Sequence, residues 1–320
     1  MKTLLKINCV FIAVILICCT SCDTDSIYKE EQYKTVVYLL SSGADNIFSE
    51  SYSLSENEPV KYISIGLGGS NPNKEEIVVT LEYDMRLFDL YNSNNFNSED
   101  EFAKRLSPRR YEIGSYTVTI PANSKEQYVR VPVKVRPLGL SPDSTYFIPI
   151  GIQSVSRYEV NEDKSRMMYH VTIENEYARQ IVRTFYTKRG QVMNERTEVE
   201  TVMTGPKTLI PLTGNKVRMV AGNEREDVIT SVEDIEKYSV VITVKDDNTV
   251  EVTPYGSLEV EMVDRQIEDQ VYNIYDPEVM QGTRAQRMFL LSYRYRILND
   301  DNTYGDWIEV RETLTRVEED

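Results

Sequence analysis

The chain has one histidine, His170, and its position limits the catalytic chemistry that the sequence can support. It lies in residues 167–173, where side chains alternate as on the two faces of a β-strand. An imidazole acting as general base or metal ligand needs a second group beside it, and a Ser-His-Asp hydrolase of the common kind also shows a Gly-x-Ser-x-Gly elbow. The sequence supplies neither. We therefore interpret His170 as a half-buried strand residue.

Paired carboxylates are another route to catalysis, because glycoside hydrolysis needs only two of them. The 51 acidic residues of the chain offer many candidates. However, there is no Asp-x-x-Asp-x-Asp-x-Glu run and no alternation of strands and helices that would build a β/α barrel. We expect a non-catalytic protein, with a glycosidase as the third hypothesis after the two given below.

Residues 300–306 resemble a calcium-binding loop, with oxygen-bearing side chains at alternate positions and glycine at the sixth. Tyr304 occupies the fifth position, and Arg311 stands where a bidentate glutamate belongs. A polar hairpin turn explains the segment more simply. We therefore predict no bound metal and no other cofactor.

The remaining chemical signal is aromatic, since the chain has 22 tyrosines beside one tryptophan and eight phenylalanines. Sugars bind to flat rings that stack on their C–H faces, beside polar groups that hydrogen-bond the hydroxyls. One turn combines both kinds of group, and an irregular segment between strands offers further rings. The predicted ligand-binding residues are Trp307, Tyr304, Asp306, Tyr275, Tyr272 and Tyr255. The alternative for each ring is packing in the core or on a strand surface.

The first residues of the chain have the pattern of an export signal. Lys2 and Lys6 precede the apolar run 10–17, which is too short to span a bilayer. Small residues then precede Cys22, as lipoprotein signal peptidase requires. We predict a cleaved signal at 1–21 and a lipid on Cys22, although Cys19 stands where an aliphatic residue is usual. Ordinary secretion without a lipid is the alternative.

Cysteine content and charge exclude several functions. The four cysteines all lie within residues 1–22, so the mature chain has no thiol pair for a disulfide, a zinc site or a catalytic nucleophile. The net charge is −15, and removal of the two lysines of the leader makes it −17. Such a field repels phosphate backbones and anionic lipids. We expect no nucleic-acid partner and contact with a membrane only through the lipid.

Beyond a polar acidic tether at 22–32, the chain becomes a series of short β-runs separated by turn residues. We predict a first domain at 33–175, an immunoglobulin-like β-sandwich, because about seven strands in this length is sandwich spacing. Its predicted strands are 33–40, 60–66, 77–83, 115–120, 128–135, 146–152 and 167–173. One helix is expected after Ser98, where Glu101 completes a capping box and Pro108 ends the segment.

A second all-β domain is predicted at 176–320. Residues 245–248 and 299–306 are expected to be hairpin turns, and the last two strands are long and antiparallel. This favours a lipocalin-like antiparallel barrel, with a second sandwich as the alternative. The predicted strands are 180–186, 198–203, 216–220, 239–244, 249–254, 288–297 and 307–316.

Several short segments resemble a known family. They are residues 33–39, 87–92, 116–122 and 146–152 in the first domain, and 273–277, 289–295 and 307–316 in the second. The layout is similar to surface glycan-binding lipoproteins of the Bacteroidetes outer membrane, from loci like the starch-utilisation system. In that family the N-terminal domain also precedes endoglycosidase modules. The resemblance implies display at the cell exterior, and the acidic residues after Cys22 look similar to the family's export signal.

These observations lead to one functional hypothesis and one main alternative. We expect a lipoprotein anchored in the outer membrane that binds oligosaccharides, with host glycoprotein glycans implied by resemblance, and passes them to an uptake complex without catalysis. The alternative is a structural, assembly or adhesin lipoprotein that contacts a protein partner. Exposed aromatic rings on one face would favour the first, whereas an open strand edge would favour the second.

Overall fold

The computed structural model describes residues 34–69, 72–181, 184–264, 266–267, 270–281 and 284–317. The predicted leader, the lipidation site at Cys22 and the tether at 22–32 lie outside these residues. Within the described ranges, no helix is both long enough and apolar enough to cross a membrane.

The first part of the described chain, through Glu174, forms two facing β-sheets. One has the strand order β10-β1-β3-β8-β6, and the other has the order β2-β11-β9-β4-β7 with β5 added beside β9. This confirms the predicted sandwich. The strands are β1 (Val36–Leu39), β2 (Ile47–Ser53), β3 (Val60–Gly68), β4 (Ile77–Tyr83), β5 (Lys104–Arg105), β6 (Tyr111–Ile113), β7 (Thr117–Ile120), β8 (Tyr128–Val135), β9 (Tyr146–Val155), β10 (Glu159–Val160) and β11 (Arg166–Glu174).

Alternation along these strands builds the sandwich core. On β3, Ile63 and Ile65 are fully buried, whereas the preceding residue, Tyr62, is 43% exposed. Two tyrosines bring hydroxyls into this apolar interior, and they satisfy each other: the Tyr52 and Tyr169 oxygens lie 2.7 Å apart. Pairing of this kind removes the cost of a buried hydroxyl.

The predicted helix after Ser98 is wrong. The helix of this domain, α1 (Arg86–Asn95), comes earlier, and residues 99–101 form only one 3₁₀ turn, whose Ser98 makes no side-chain cap. The cause is a long-range contact. Asn92 at the end of α1 exchanges two hydrogen bonds with the backbone of Ala103, which extends the chain so that Lys104 and the next residue add to β9 as a strand.

The second part of the described chain forms a nine-stranded antiparallel sheet that curls into a nearly closed barrel. Its order is β16-β15-β14-β13-β12-β22-β21-β17, with β20 beside β21. The strands of this sheet are β12 (Thr184–Asn194), β13 (Val199–Thr213), β14 (Lys216–Val220), β15 (Ser239–Val244), β16 (Val250–Pro254), β17 (Glu259–Met262), β20 (Ile274–Gln281), β21 (Arg284–Arg296) and β22 (Ile308–Val317), and β18 (Gln266–Ile267) and β19 (Gln270–Val271) form a separate two-stranded sheet. One helix, α2 (Val232–Tyr238), precedes β15.

Backbone hydrogen bonds between the start of β16 and the start of β20 bring the two ends of this curled sheet together. Val250 donates to the carbonyl of Asn273 at 2.8 Å, and Tyr275 donates to that of Asn248 at 2.8 Å. Closure of this kind removes exposed sheet edges. The predicted barrel-like domain is thereby confirmed, as are both hairpin turns. The turn before Thr249 works because Asn248 adopts the left-handed conformation, with φ 64°.

An ion pair with a buried guanidinium joins the two parts of the chain. The guanidinium of Arg218 on β14 donates to both carboxylate oxygens of Asp143, at 2.7 and 2.6 Å, and Arg218 is 3% exposed. Beside it, Asn175 donates to the carbonyls of Thr213 and Lys216. A buried guanidinium left without its carboxylate would be strongly destabilising. The junction therefore holds the two domains in a defined arrangement.

The barrel wall has no room for a side chain at Gly190. This residue of β12 pairs with Glu312 of β22, and a Cβ at Gly190 would collide with the carbonyl oxygen of Arg311 and lie 2.8 Å from the Cα of Glu312. Gly305, in contrast, has only the carbonyl of Ile297 nearby, at 3.7 Å from a Cβ.

We expect Gly190→Ala to lower the free energy of unfolding by about 2 kcal/mol or more, because strand β22 must shift to admit the methyl group. Gly305→Ala is the matched control and should change it by less than about 0.5 kcal/mol. Urea denaturation followed by circular dichroism measures both. Equal stability of the two variants would contradict the close approach of β12 and β22.

Candidate functional site

The outward side of the barrel brings together three of the residues that the sequence analysis selected. On β21, Tyr293 and Tyr295 point into the barrel and are buried, so Arg294 and Arg296 point outwards. Since β22 pairs with β21 through Tyr295 and Ile308, the residue before β22, Trp307, falls beside these arginines.

The contacts form a row of rings and guanidinium groups. The guanidinium carbons of Arg294 and Arg296 lie 4.6 and 4.7 Å from the centroid of the Trp307 ring. Arg296 also lies 4.7 Å from the ring of Tyr304, which is 38% exposed. We call these four residues the Trp307 platform. Each contact has cation–π geometry, and the partial exposure of the rings leaves them accessible to a ligand.

Carboxylates on neighbouring segments hold the platform arginines in place. Arg294 donates to Glu195 at 3.1 Å and to Glu261 at 3.0 Å, and Arg296 donates to Glu259 at 2.6 Å. A guanidinium fixed by two carboxylates keeps its plane and its remaining N–H donors in one orientation. The platform thus offers rings, donors and acceptors within one small area.

Asp306 lies at the edge of the platform as an acceptor. It receives hydrogen bonds from Arg196 at 2.8 Å and from the side-chain amide of Asn194 at 3.1 Å. These hydrogen bonds lower the pKa of the Asp306 carboxyl, so it is ionised at neutral pH. An ionised carboxylate accepts hydrogen bonds from hydroxyl groups, which is the polar half of sugar recognition.

The other predicted rings lie elsewhere. Tyr275 is 3% exposed and packs against Tyr177 and Phe289, with ring centroids 4.9 and 4.7 Å apart, so its selection as a ligand contact is corrected to a core role. Tyr255 lies at the domain junction, where the guanidinium of Arg218 is 4.9 Å from its ring. Tyr272 is half-buried between β19 and β20.

The sequence analysis missed the two arginines of the platform and the glutamates that bind them. Their signal was present: Arg294 and Arg296 alternate with tyrosines, and Glu259 and Glu261 alternate on the strand that pairs with them. Period-two alternation of charge marks an outward face. What the sequence could not supply was the pairing that sets Trp307 beside them.

In the segment 300–306, Asp301 uses its carboxylate within its own turn and Asp300 uses its carboxylate with helix α2. Asp301 accepts hydrogen bonds from the backbone and hydroxyl of Thr303, at 3.0 and 2.6 Å, and Asp300 pairs with Lys237 at 2.8 Å. Among the described residues, no group of three histidine, cysteine, aspartate or glutamate side chains is arranged to hold a metal ion.

His170 on β11 is half-buried, and burial determines its protonation. Its Nδ1 lies 3.2 Å from the hydroxyl of Ser49, and its ring centroid lies 4.9 Å from that of Phe147. Desolvation lowers the pKa of His170 from 6.5 to about 4. The imidazole is therefore neutral at pH 7.

This pKa predicts a pH-dependent loss of stability. Between pH 6.5 and 4 the unfolded chain binds a proton at His170 that the folded chain does not, so the free energy of unfolding should fall as pH is lowered through this window. The slope from one such group is at most about 1.4 kcal/mol per pH unit. Urea denaturation of the wild type and of His170→Gln measures it. Parallel pH profiles for the two proteins would show that His170 titrates normally when folded.

Comparison with known proteins shows that each half of the chain matches a protein-family model. A family model described as an N-terminal domain matches residues 29–159, and another described as a C-terminal domain matches residues 165–315. A search of curated proteins gives no match.

Solved structures similar to this chain come from Bacteroides. A protein of unknown function from Bacteroides ovatus is 16% identical with a TM-score of 0.64, over 89% of this chain and 95% of that one. A multidomain protein from the same organism that includes a DUF1735 domain is 16% identical, with a TM-score of 0.63, over 88% and 94%. An auxiliary nutrient-binding protein from Bacteroides thetaiotaomicron is 13% identical, with a TM-score of 0.57, over 87% and 93%. At these identities the likeness shows a shared two-domain fold.

Proposed function

Since the chain belongs to the two-domain family that these N-terminal and C-terminal models define, we propose that it is a surface lipoprotein that binds oligosaccharides without catalysis and delivers them to an uptake complex. The relative described as an auxiliary nutrient-binding protein supports a binding role. Host glycoprotein glycans are the class of ligand that the sequence resemblance favours.

The Trp307 platform is the observation that supports this proposal best. Saccharide binding combines stacking on an aromatic face with hydrogen bonds to hydroxyl groups. Trp307 and Tyr304 supply rings, Arg294 and Arg296 supply oriented donors, and Asp306 supplies an ionised acceptor. Ion pairs within the platform fix these groups before a ligand arrives, which reduces the ordering cost of binding.

The electrostatics of the same carboxylates support a non-catalytic role. A glycosidase needs one carboxyl group whose pKa is raised so that it can donate a proton. At the platform, Glu195, Glu259 and Glu261 are bound to guanidinium groups, and the pKa of Asp306 is lowered. Burial does raise the pKa of Glu312 and of Glu50, but Glu312 is 1% exposed inside the barrel, away from solvent-borne substrates, and Glu50 lies on β2 of the sandwich, in the other domain from the platform.

One observation favours the alternative of a protein partner. Strand β2 (Ile47–Ser53) is at the edge of the second sandwich sheet, where its one partner among the described strands is β11. An edge strand of seven residues can accept a strand from another chain. A partner that binds there would leave the Trp307 platform unused.

A glycan array tests the main proposal, and the single tryptophan makes the test local. Trp307→Ala should weaken glycan binding by about tenfold, the loss of one aromatic stacking contact, and Tyr304→Ala should weaken it less. Phe185→Ala is the matched control, because Phe185 is a 59% exposed aromatic residue at the opposite end of β12 from Asn194. It should leave binding unchanged.

Tryptophan fluorescence tests whether a bound glycan lies on the platform, separately from whether the protein binds glycans at all. Trp307 is the only tryptophan of the chain, so a glycan on the platform should shift its emission during titration. Absence of any bound glycan would refute oligosaccharide binding. Binding that neither shifts the emission nor responds to Trp307→Ala would refute only the platform.

The lipid anchor is tested on the full precursor in a Gram-negative host. Cys22→Ala should abolish incorporation of labelled palmitate and release the protein from membranes, because a diacylglyceryl group needs that thiol. Cys18→Ala is the matched control and should remain labelled. Unlabelled but exported wild-type protein would support ordinary secretion instead.

A further inference from the structure

The outward face of the first sandwich sheet carries a second group of rings. Along β8, Val131 and Val133 are fully buried in the core. The alternate residues Tyr128, Arg130 and Pro132 therefore face outwards. The same alternation applies to β1 and β3. The outward residues that concern us are Tyr38, Tyr62, Tyr128 and Arg130, which we call the Arg130 face.

Strand pairing places these four residues next to one another. Gly66 on β3 is opposite Tyr38 on β1 and opposite Tyr128 on β8. The end of the Tyr38 ring lies directly over this glycine: a Cβ at Gly66 would be 2.5 Å from the Cζ atom of the Tyr38 ring. Any other residue at 66 would lift the ring away from the sheet. The glycine therefore lets the Tyr38 ring lie against the sheet beside Tyr128, which is 38% exposed.

Arg130 lies between the two exposed tyrosines. Its guanidinium carbon is 5.2 Å from the ring of Tyr128 and 6.0 Å from that of Tyr62, and it donates to the Tyr128 hydroxyl at 3.4 Å. Tyr62 pairs with Pro132, four residues along β8 from Tyr128, so the face extends about 13 Å along the strand. That length suits a short oligosaccharide better than a single sugar ring.

The charge of Arg130 indicates what kind of saccharide. The chain carries a net charge of −15, and arginines such as Arg86, Arg136 and Arg294 each bind a carboxylate. Arg130 makes no ion pair with any described residue. An exposed guanidinium held between rings without a carboxylate of its own presents free donors for an anionic group, and a planar carboxylate is the best geometric match.

We propose that the Arg130 face is a second saccharide contact and that it selects oligosaccharides bearing a carboxylate, such as uronic or sialic acids. This inference rests on the proposed function, because it assumes that the chain binds oligosaccharides. The rings of Tyr38, Tyr62 and Tyr128 stack on the sugar, and Arg130 binds its carboxylate. Neutral ligands would then contact this face through its rings alone, without the charge interaction.

The test uses the full mature chain and two forms of one ligand. Calorimetry compares a uronic-acid oligosaccharide with its methyl ester, which keeps the sugar faces and removes the charge. The wild type should bind the acid at least tenfold more tightly than the ester, and the difference should shrink as salt is raised. Arg130→Met should remove most of the preference for the acid while changing ester binding little.

Control variants make the result specific. Arg105→Met is matched, because Arg105 is an exposed arginine 5.9 Å from the ring of the exposed Tyr83, on a different sheet. It should leave both affinities unchanged. Tyr62→Ala combined with Tyr128→Ala should weaken both ligands, and thermal unfolding should show all variants folded.

Outcomes distinguish this inference from the proposed function. If the acid and ester bind equally, or if Arg130→Met leaves the preference intact, the inference is overturned, and the face becomes a candidate contact for a protein instead. If neither these ligands nor any oligosaccharide on the array binds, the proposed function fails as well. If Trp307→Ala loses binding and Arg130→Met has no effect, the proposed function is supported and the inference about the Arg130 face is overturned.

Discussion

The register between β21 and β22 determines both the core of the barrel domain and the surface of the candidate site. On β21, Tyr293 and Tyr295 fill the barrel while Arg294 and Arg296 face outwards. Side chains alternate with a period of two, so a slip of one residue would put two arginines into an apolar interior and two tyrosines into solvent. The cost of burying unpaired guanidinium groups excludes that register. Trp307 lies beside the arginines as a consequence of the same pairing, and the platform is therefore as well defined as the core behind it.

A chain of buried hydrogen bonds supports this register from inside. The hydroxyl of Tyr293 donates to Glu312 of β22 at 3.0 Å and accepts from the backbone of Gly222 at 2.9 Å. Lys207 of β13 donates to the carbonyl of Gly222 at 2.6 Å. Both groups are removed from water, and desolvation raises the pKa of Glu312 and lowers that of Lys207. These hydrogen bonds form only where strands from opposite parts of the sheet meet the loop after β14, so they favour that arrangement, and Oε2 of Glu312 is the one oxygen of this carboxylate without a hydrogen-bond partner among the described residues.

Local patterns predicted most of this fold, and contacts between distant residues account for what they missed. Alternation located most strands of both domains, since burial on one face imposes it directly, but β2 and β20 were not predicted, and the strand predicted at 180–186 is β12 (Thr184–Asn194). The capping-box pattern at Ser98 failed because Asn92 binds the backbone of Ala103, a contact that no local pattern encodes. For the site, composition selected Trp307, Tyr304 and Asp306, which the structure brings together. It also selected Tyr275, which β20 turns inwards against Phe289. An aromatic ring looks the same in sequence on either face, and only the pairing register separates a core ring from a surface ring.

The two outward faces also share a constraint from the domain junction. The ion pair of Arg218 and Asp143 joins the domain that carries the Trp307 platform to the domain that carries the Arg130 face. When a ligand is long enough to reach two weak sites on one molecule, binding at the first site raises the effective concentration of the ligand at the second. The overall affinity can then exceed that of either site alone. A short ligand gains nothing from this arrangement. Under the two proposals, the junction would determine how long a saccharide must be to reach both faces, independently of the chemistry at each face.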